Sequence, residues 1–341
     1  IGGYITYLPS YLEFKNSNQI EFQTNNLIHN RINIRGYIND DFSIGIELRN
    51  RILFDEGVFN SDNGYFDLSH YFVNQPKFKI HSMIDRMWLK HQSDKIEISA
   101  GRQRVNWGIN SIWNSNDLFN AYNFIDFDYI ERPGSDVIRL IYTGDNLSSL
   151  DLVFMPTNKG RNVFAGMYRF NKLGYDFQII GADYFDDVVI GGGWAGNILK
   201  AGFKGELSYF INKYSDNALS LSSSIDYSFR SGYYILVSYL YNSQGRNTPG
   251  LMNFINITEN VLSPRNLMPS KNSYLLQITK PISPPVNASF TVMYGSGINL
   301  LYLSPSISYD VSSRIDLSAI GQIFLLENNN RIESFGYIFL S

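Results

Sequence analysis

Between Ala218 and Arg230 the chain alternates, with Leu219, Leu221, Ile225, Tyr227 and Phe229 interleaved with Ser220, Ser222, Ser224, Asp226, Ser228 and Arg230. Period two sustained over this length predicts a strand with one apolar and one polar face. The pattern recurs at Phe42, Ile44, Ile46 and Leu48 against Ser43, Gly45, Glu47 and Arg49. It recurs again at Leu199, Ala201, Phe203, Leu207 and Tyr209 against Lys200, Gly202, Lys204, Glu206 and Ser208. Faces made of Ser, Gly, Lys and Glu do not fill a dry core, so one face of these strands is expected to meet water.

Segments of this kind fall at 3–13, 21–38, 42–54, 79–91, 95–106, 136–144, 149–157, 162–171 and 174–184. The second half supplies 188–195, 198–211, 218–230, 233–243, 272–281, 286–295, 300–309, 314–326 and 331–341. They predict an all-β transmembrane antiparallel β-barrel of about eighteen strands, with sixteen as the alternative; single-chain bacterial barrels have even numbers. Pro9 interrupts the first segment. The connections fit the same reading, because outer-membrane barrels have short periplasmic turns and long outer loops. With both termini periplasmic, the turns at Asn39–Asp41, Gln92–Asp94, Asp145–Ser148, Ser231–Gly232 and Ser283–Pro285 fall inside, and segments 55–78, 107–135 and 244–271 fall outside. The whole chain, 1–341, reads as one barrel domain. Its last strand carries Phe335, Tyr337 and Phe339 at spacing two, as closing strands of such barrels do.

Composition removes the competing classes. No stretch approaches the roughly 18 consecutive apolar residues of a spanning helix, while 24 Phe and 24 Tyr accompany only 17% charged residues. A mean hydropathy of -0.16 suits a barrel as well as a soluble protein, since only alternate residues meet lipid. A net charge of -3 argues against a nucleic-acid partner. The absence of Cys fits passage through an oxidising periplasm. The chain opens at Ile1 with no basic and apolar leader, as a mature protein with its signal peptide removed would.

Arginine is concentrated early, at Arg31, Arg35, Arg49, Arg51, Arg86, Arg102, Arg104, Arg132 and Arg139. An Arg on the lipid face near the midplane costs roughly 2–4 kcal/mol, so Arg31, Arg35, Arg49, Arg51, Arg102 and Arg104 are expected to line the pore as a basic wall. Opposite in sign, Asp117, Asp126, Asp128, Glu131 and Asp136 stand among Trp113, Phe119, Tyr122, Phe124, Phe127 and Tyr129, with Arg132 beside them. So many rings favour packing over solvent, and segment 107–135 is expected to fold into the lumen as a constriction loop. Its carboxylates facing the basic wall would set solute preference; the alternative is that the charges only satisfy one another while filling the lumen.

The run Gly101-Arg-Gln-Arg-Val-Asn-Trp-Gly108, then Trp113-Asn-Ser-Asn-Asp-Leu-Phe-Asn120 and Glu131-Arg-Pro-Gly-Ser-Asp136, resembles a family of porin-like outer-membrane β-barrels. That family is best known as a domain of unknown function and is widespread in Bacteroidota. Asn30-Arg31 and Ser263-Pro-Arg-Asn-Leu-Met-Pro-Ser270 are similar to family segments too. The resemblance implies a barrel in the outer membrane of a Gram-negative cell, with no known catalysis and no assigned substrate. Many relatives have Pro where this chain has Ser115.

Sharper chemistry is weakly signalled. Gly191-Gly-Gly-Trp-Ala-Gly196 has a dinucleotide-type spacing, but no helix pattern follows it, so small residues near a tight turn are the plainer reading. The four His are His29, His70, His81 and His91. No Gly-x-Ser-x-Gly or His-Glu-x-x-His occurs, and no enzyme activity is expected. Asn60, Asp62 and Asn63 beside Gly64 lack the full calcium-loop spacing and read as a solvated turn. No cofactor or metal is expected. The expected function is passive diffusion of small polar solutes, the arginines favouring anions, in contact with outer-membrane lipids and lipopolysaccharide. The alternative is an accessory barrel subunit that docks a surface lipoprotein or other envelope subunit through Leu251, Met252, Phe254, Ile255 and Ile257.

Overall fold

The structure, a computed structural model, describes residues 1–16, 19–54, 62, 64–120, 134–158, 160–250, 263–328 and 331–341. Among them the strands are β1 (Gly2–Asn16), β2 (Gln19–Tyr37), β3 (Phe42–Phe54), β4 (Ser69–Gln75), β5 (Phe78–Gln92) and β6 (Ile96–Gln103). There follow β7 (Ser135–Thr143), β8 (Ser149–Met155), β9 (Val163–Lys172), β10 (Tyr175–Tyr184), β11 (Asp187–Ile198), β12 (Ala201–Asn212) and β13 (Ala218–Ser228). The chain closes with β14 (Tyr234–Asn242), β15 (Asn272–Ser283), β16 (Val286–Ser296), β17 (Leu300–Ser312), β18 (Ile315–Asn328) and β19 (Arg331–Leu340).

Each wall strand pairs antiparallel with its neighbours, and β1 closes the sheet on β19, with Ser10 opposite Phe339 and Lys15 opposite Ser334. The result is a closed barrel of eighteen antiparallel wall strands, and every segment read from the alternation overlaps one of them. Pro9 lies one residue past the end of the β1–β19 ladder, a place that tolerates a residue with no N–H. Connections on one end are tight. Leu173 and Gly174, both at positive φ (55° and 77°), join β9 to β10 as a two-residue hairpin.

β4 is additional to the wall set and was not foreseen: it sits within the expected loop 55–78. One edge of β5 pairs with β3 throughout. The other pairs with β4 over Phe78–Met83 and with β6 over Met87–Gln92. β4 therefore raises the wall above the short strands β6 and β7, where the chain leaves the sheet for the lumen. At that junction β5 carries a bulge. Glu47 faces Arg86 and Leu48 faces Ile84, so Asp85 is the extra residue. The bulge keeps both Asp85 and Arg86 off the outer face while Ile84 and Met87 stay on it.

Outside the bulge, alternation sorts the side chains. Ile44, Met87, Ile98, Ile138, Phe164, Ile179, Ile190, Val237 and Phe290 are exposed on the outer face. Two large apolar clusters lie inside, beside a small one of Leu27 and Leu53. One joins Val105, Trp107 and Leu118 to inward residues of β7–β13, including Val137, Val153, Met167, Ile180, Val189 and Phe210. The other joins Trp113, Leu267 and Met268 to inward residues of β14–β18, including Leu240, Leu275, Met293, Tyr302 and Phe324. Phe335 and Tyr337 of the last strand pack on this second cluster, so the aromatics at spacing two face inward.

Candidate functional site: the inserted segment and the charged inner wall

The segment from Val105 to Asn120 leaves β6 and runs along the inner faces of β8 and β10–β13. Glu206 on β12 is fully buried and anchors it. The N–H groups of Ile109 and Asn110 donate to Glu206 Oε1 (2.5 and 2.6 Å), and that of Asn116 donates to Oε2 (2.8 Å). Hydrogen bonds from backbone N–H groups to a carboxylate are charge-assisted and strong. Asn116 adds its own side chain, donating to the Gly192 carbonyl (2.8 Å) and accepting from Ser208 (2.7 Å).

The serines of β13 complete the seat. Ser220 shares a hydrogen bond with Ser115 (2.9 Å), Ser222 donates to the Trp113 carbonyl (2.8 Å), and Ser224 donates to the Asn110 side chain. This corrects the expectation that the polar face of β13 meets water: all three are buried and are spent on the inserted segment.

The glycine run is a second correction. Gly191–Gly196 lies in the middle of β11, not at a tight turn. A Cβ on Gly193 would stand 2.9 Å from Ile109 Cδ1, and one on Gly191 would stand 3.1 Å from Asn116 Oδ1. The inner glycines leave room for the segment to lie flat on the wall. At its start, Trp107 Nε1 donates to Asp151 (2.8 Å), which also receives Arg139 (2.6 Å), and Gln178 donates to the Trp107 carbonyl (2.9 Å).

The arginines of β2, β3 and β5 separate into three environments. Arg31, 1% exposed, donates to Glu47 (2.5 Å) and Asp85 (2.7 Å), and Arg86 shares Glu47 (3.0 Å). Arg49 and Arg51 are buried on the inner face of β3, with Arg51 Nη2 3.3 Å from His81 Nδ1. Arg35 is on the same side near the turn end and is exposed. The basic wall thus carries its own partial neutralisation in Glu47 and Asp85, which the sequence reading did not anticipate.

Arg102 and Arg104 do not share a lumen face. β6 ends at Gln103, so Arg104 lies beyond it and is exposed. Arg102 pairs across to Met87 and Asp136, two positions above the outer-face pair Ala100 and Ile138. There it is buried in an ion cluster with Asp62 (2.5 Å) and Asp136 (2.9 Å), and it donates to the Phe66 carbonyl (2.7 Å). Asp62 also accepts the N–H groups of Gly64 and Leu68 (2.9 and 2.8 Å), so it is a clasp and not a solvated turn. Asp136, read as a constriction residue, belongs to β7 and to this clasp. Asp117 lies in the inserted segment and is fully buried. Asp126, Asp128, Glu131 and Arg132 lie outside the described residues, as do Tyr122, Phe124, Phe127, Tyr129, Asn60, Asn63 and the apolar positions 251–257.

The alternation puts Lys204 and Glu206 on the polar face of β12 but assigns them no part in the site; Lys204 Nζ is 3.4 Å from the Ser111 hydroxyl, and Arg169 on β9 is a further inward cation. Glu206 is the one acid on a face it shares with Gly202, Lys204, Ser208 and Phe210, a signal in view that had no partner in the sequence.

No family model matches the chain, and no curated protein matches it. Solved structures do. OccK5 (OpdH) of Pseudomonas aeruginosa superposes with a TM-score of 0.61 at 9% identity, over 99% of this chain and 96% of that one. OpdL of the same organism gives 0.60 at 9%, over 99% and 97%. OccAB4 of Acinetobacter baumannii gives 0.58 at 10%, over 98% and 96%. The chain has the fold of the Occ barrels. At these identities the likeness establishes the Occ-type fold and carries no residue of the site.

Proposed function

We propose that this protein is an outer-membrane channel for passive diffusion of small polar solutes, with a preference for anions. The observation that carries the reading is the charge asymmetry of the inner wall. Inward positions of β2, β3 and β5–β8 hold Arg31, Arg35, Arg49, Arg51, Lys79, Arg86, Lys90 and Arg139 against Glu47, Asp85, Glu97 and Asp151. Inward positions of β15–β17 from Ser273 to Ser308 hold no charge. Cations in excess on one side of a narrowed lumen favour anionic solutes. The barrels it resembles in fold, the Occ and OprD proteins, are outer-membrane channels for small solutes, which supports the location and the class of activity.

In this reading segment 107–135 is the constriction, 244–271 is the long extracellular loop, both termini are periplasmic, and the outer face meets lipid and lipopolysaccharide. Kinship with the porin-like family of Bacteroidota belongs to the same proposal. The test is conductance of the purified protein in a planar bilayer, with the reversal potential read under a salt gradient. Anion preference that weakens in the double variant Arg35→Ser, Arg169→Ser supports the channel. Folded, inserted protein that never conducts refutes it.

A further inference from the structure

One cross-strand row on the outer face is polar within an apolar band. The pairings Ile5 with Asn30, Asn30 with Asn50, and Asn50 with Ser82 place these side chains side by side on β1, β2, β3 and β5. The row below is Ile32, Leu48 and Ile84, and the row above is Ile28, Ile52 and Ile80. On β3 the outward residues run Phe42, Ile44, Ile46, Leu48, Asn50, Ile52, Phe54, so Asn50 lies between apolar neighbours and below the Phe54–Phe78 ring pair. That is the level of the hydrocarbon, not of the headgroups.

The row is internally connected in one direction. Ser82 Oγ donates to Asn50 (2.7 Å), Asn50 Nδ2 to Asn30 (3.1 Å), and Asn30 Nδ2 to the Tyr4 carbonyl (3.1 Å). Each amide has two N–H groups, and the second one of Asn30 and of Asn50 has no partner among the described residues. Hydrocarbon offers none, and an unpaired amide N–H there is costly.

We propose that this outer face of β1, β2, β3 and β5 is an interface between two copies of this chain. Amides both donate and accept, so a copy related by a two-fold axis along the membrane normal presents the complementary groups. No charged side chain occupies the outward positions from Ile28 to Ile34, Leu48 to Phe54 and Phe78 to Ile84, so like faces meet without repulsion. Ile5, 74% exposed, and Tyr7, 53% exposed, flank the row and supply apolar contact. This inference stands independently of the channel reading.

The experiment is native mass spectrometry of purified full-length protein from a mild detergent and from lipid nanodiscs. The wild type should appear at twice 39.1 kDa. The triple variant Asn30→Leu, Asn50→Leu, Ser82→Ala should appear at 39.1 kDa while keeping the heat-modifiable gel mobility of a folded barrel. Because the chain has no Cys, Asn50→Cys alone reports proximity: an oxidised band at double mass in intact membranes is expected. A monomeric wild type in both media overturns the proposal, leaving lipid or a different barrel against this face. So does a variant that stays dimeric. If the triple variant fails to fold, the wild-type mass and the Asn50→Cys band still decide.

Discussion

Glu206 shows how one residue can fix a whole segment. Its carboxylate is the acceptor for Ile109, Asn110 and Asn116, and Glu206→Gln replaces one acceptor oxygen with a donor aimed at donors. An unsatisfied buried polar group costs about 1–3 kcal/mol. The variant should melt at lower temperature in heat-modifiability gels and show larger, noisier conductance than wild type, as the segment comes off the wall. Arg102 is the second such residue. Arg102→Ala leaves Asp62 and Asp136 buried without their cation, a loss of about 3–5 kcal/mol, measurable as a drop in chemical unfolding midpoint. The concentration of arginines was visible in the sequence, and so was the cost of placing them in lipid. Arg102 falls in the same alternation as Ile96, Ile98 and Ala100, but that Asp62 and Asp136 would cover it there was not legible, and Arg104 and Val105 continue the alternation in letters after the strand has stopped. Glu206 was legible as inward, but its partners stand some ninety residues away in sequence, and no spacing rule connects them.

At the level of single strands, the eighteen wall elements were readable because lipid demands an apolar residue at every second position, whatever the pore does. β4 answers to no such demand. Its Ser69, His70, Tyr71, Phe72 and Val73 fill a place beside β5, and the outward pair of His70 and Ser82 is polar. The bulge in β5 was hidden for a related reason: Asp85 and Arg86 are adjacent charges, and strict alternation would put one of them in lipid. Deleting Asp85 removes the extra residue and forces either Arg86 outward or Phe78–Ile84 to rotate. The expected result is a sharp fall in the fraction of heat-modifiable, membrane-assembled barrel, whereas Asp85→Asn, which keeps the register, should assemble at near wild-type levels.

For the whole molecule, the proposed sidedness rests on loop length, and the cysteine-free chain makes it testable. Ser215→Cys, in the β12–β13 connection, should react with a membrane-impermeant maleimide on intact cells. Lys200→Cys, in the turn between β11 and β12, should react only after the outer membrane is permeabilised. The reverse pattern would turn the barrel upside down and assign the long segments to the periplasm.

The bulge at Asp85 is accompanied by register shifts between Pro281 and Ser283 and between Asp310 and Ser312. A wall that accepts a supernumerary residue without disturbing the rows beside it has a way to vary by single-codon insertion. Such an insertion alters the inner face, while the outer face presents the same apolar surface as before. Diversity within barrels of this build should therefore be sought in small length differences inside strands as much as in the loops that join them.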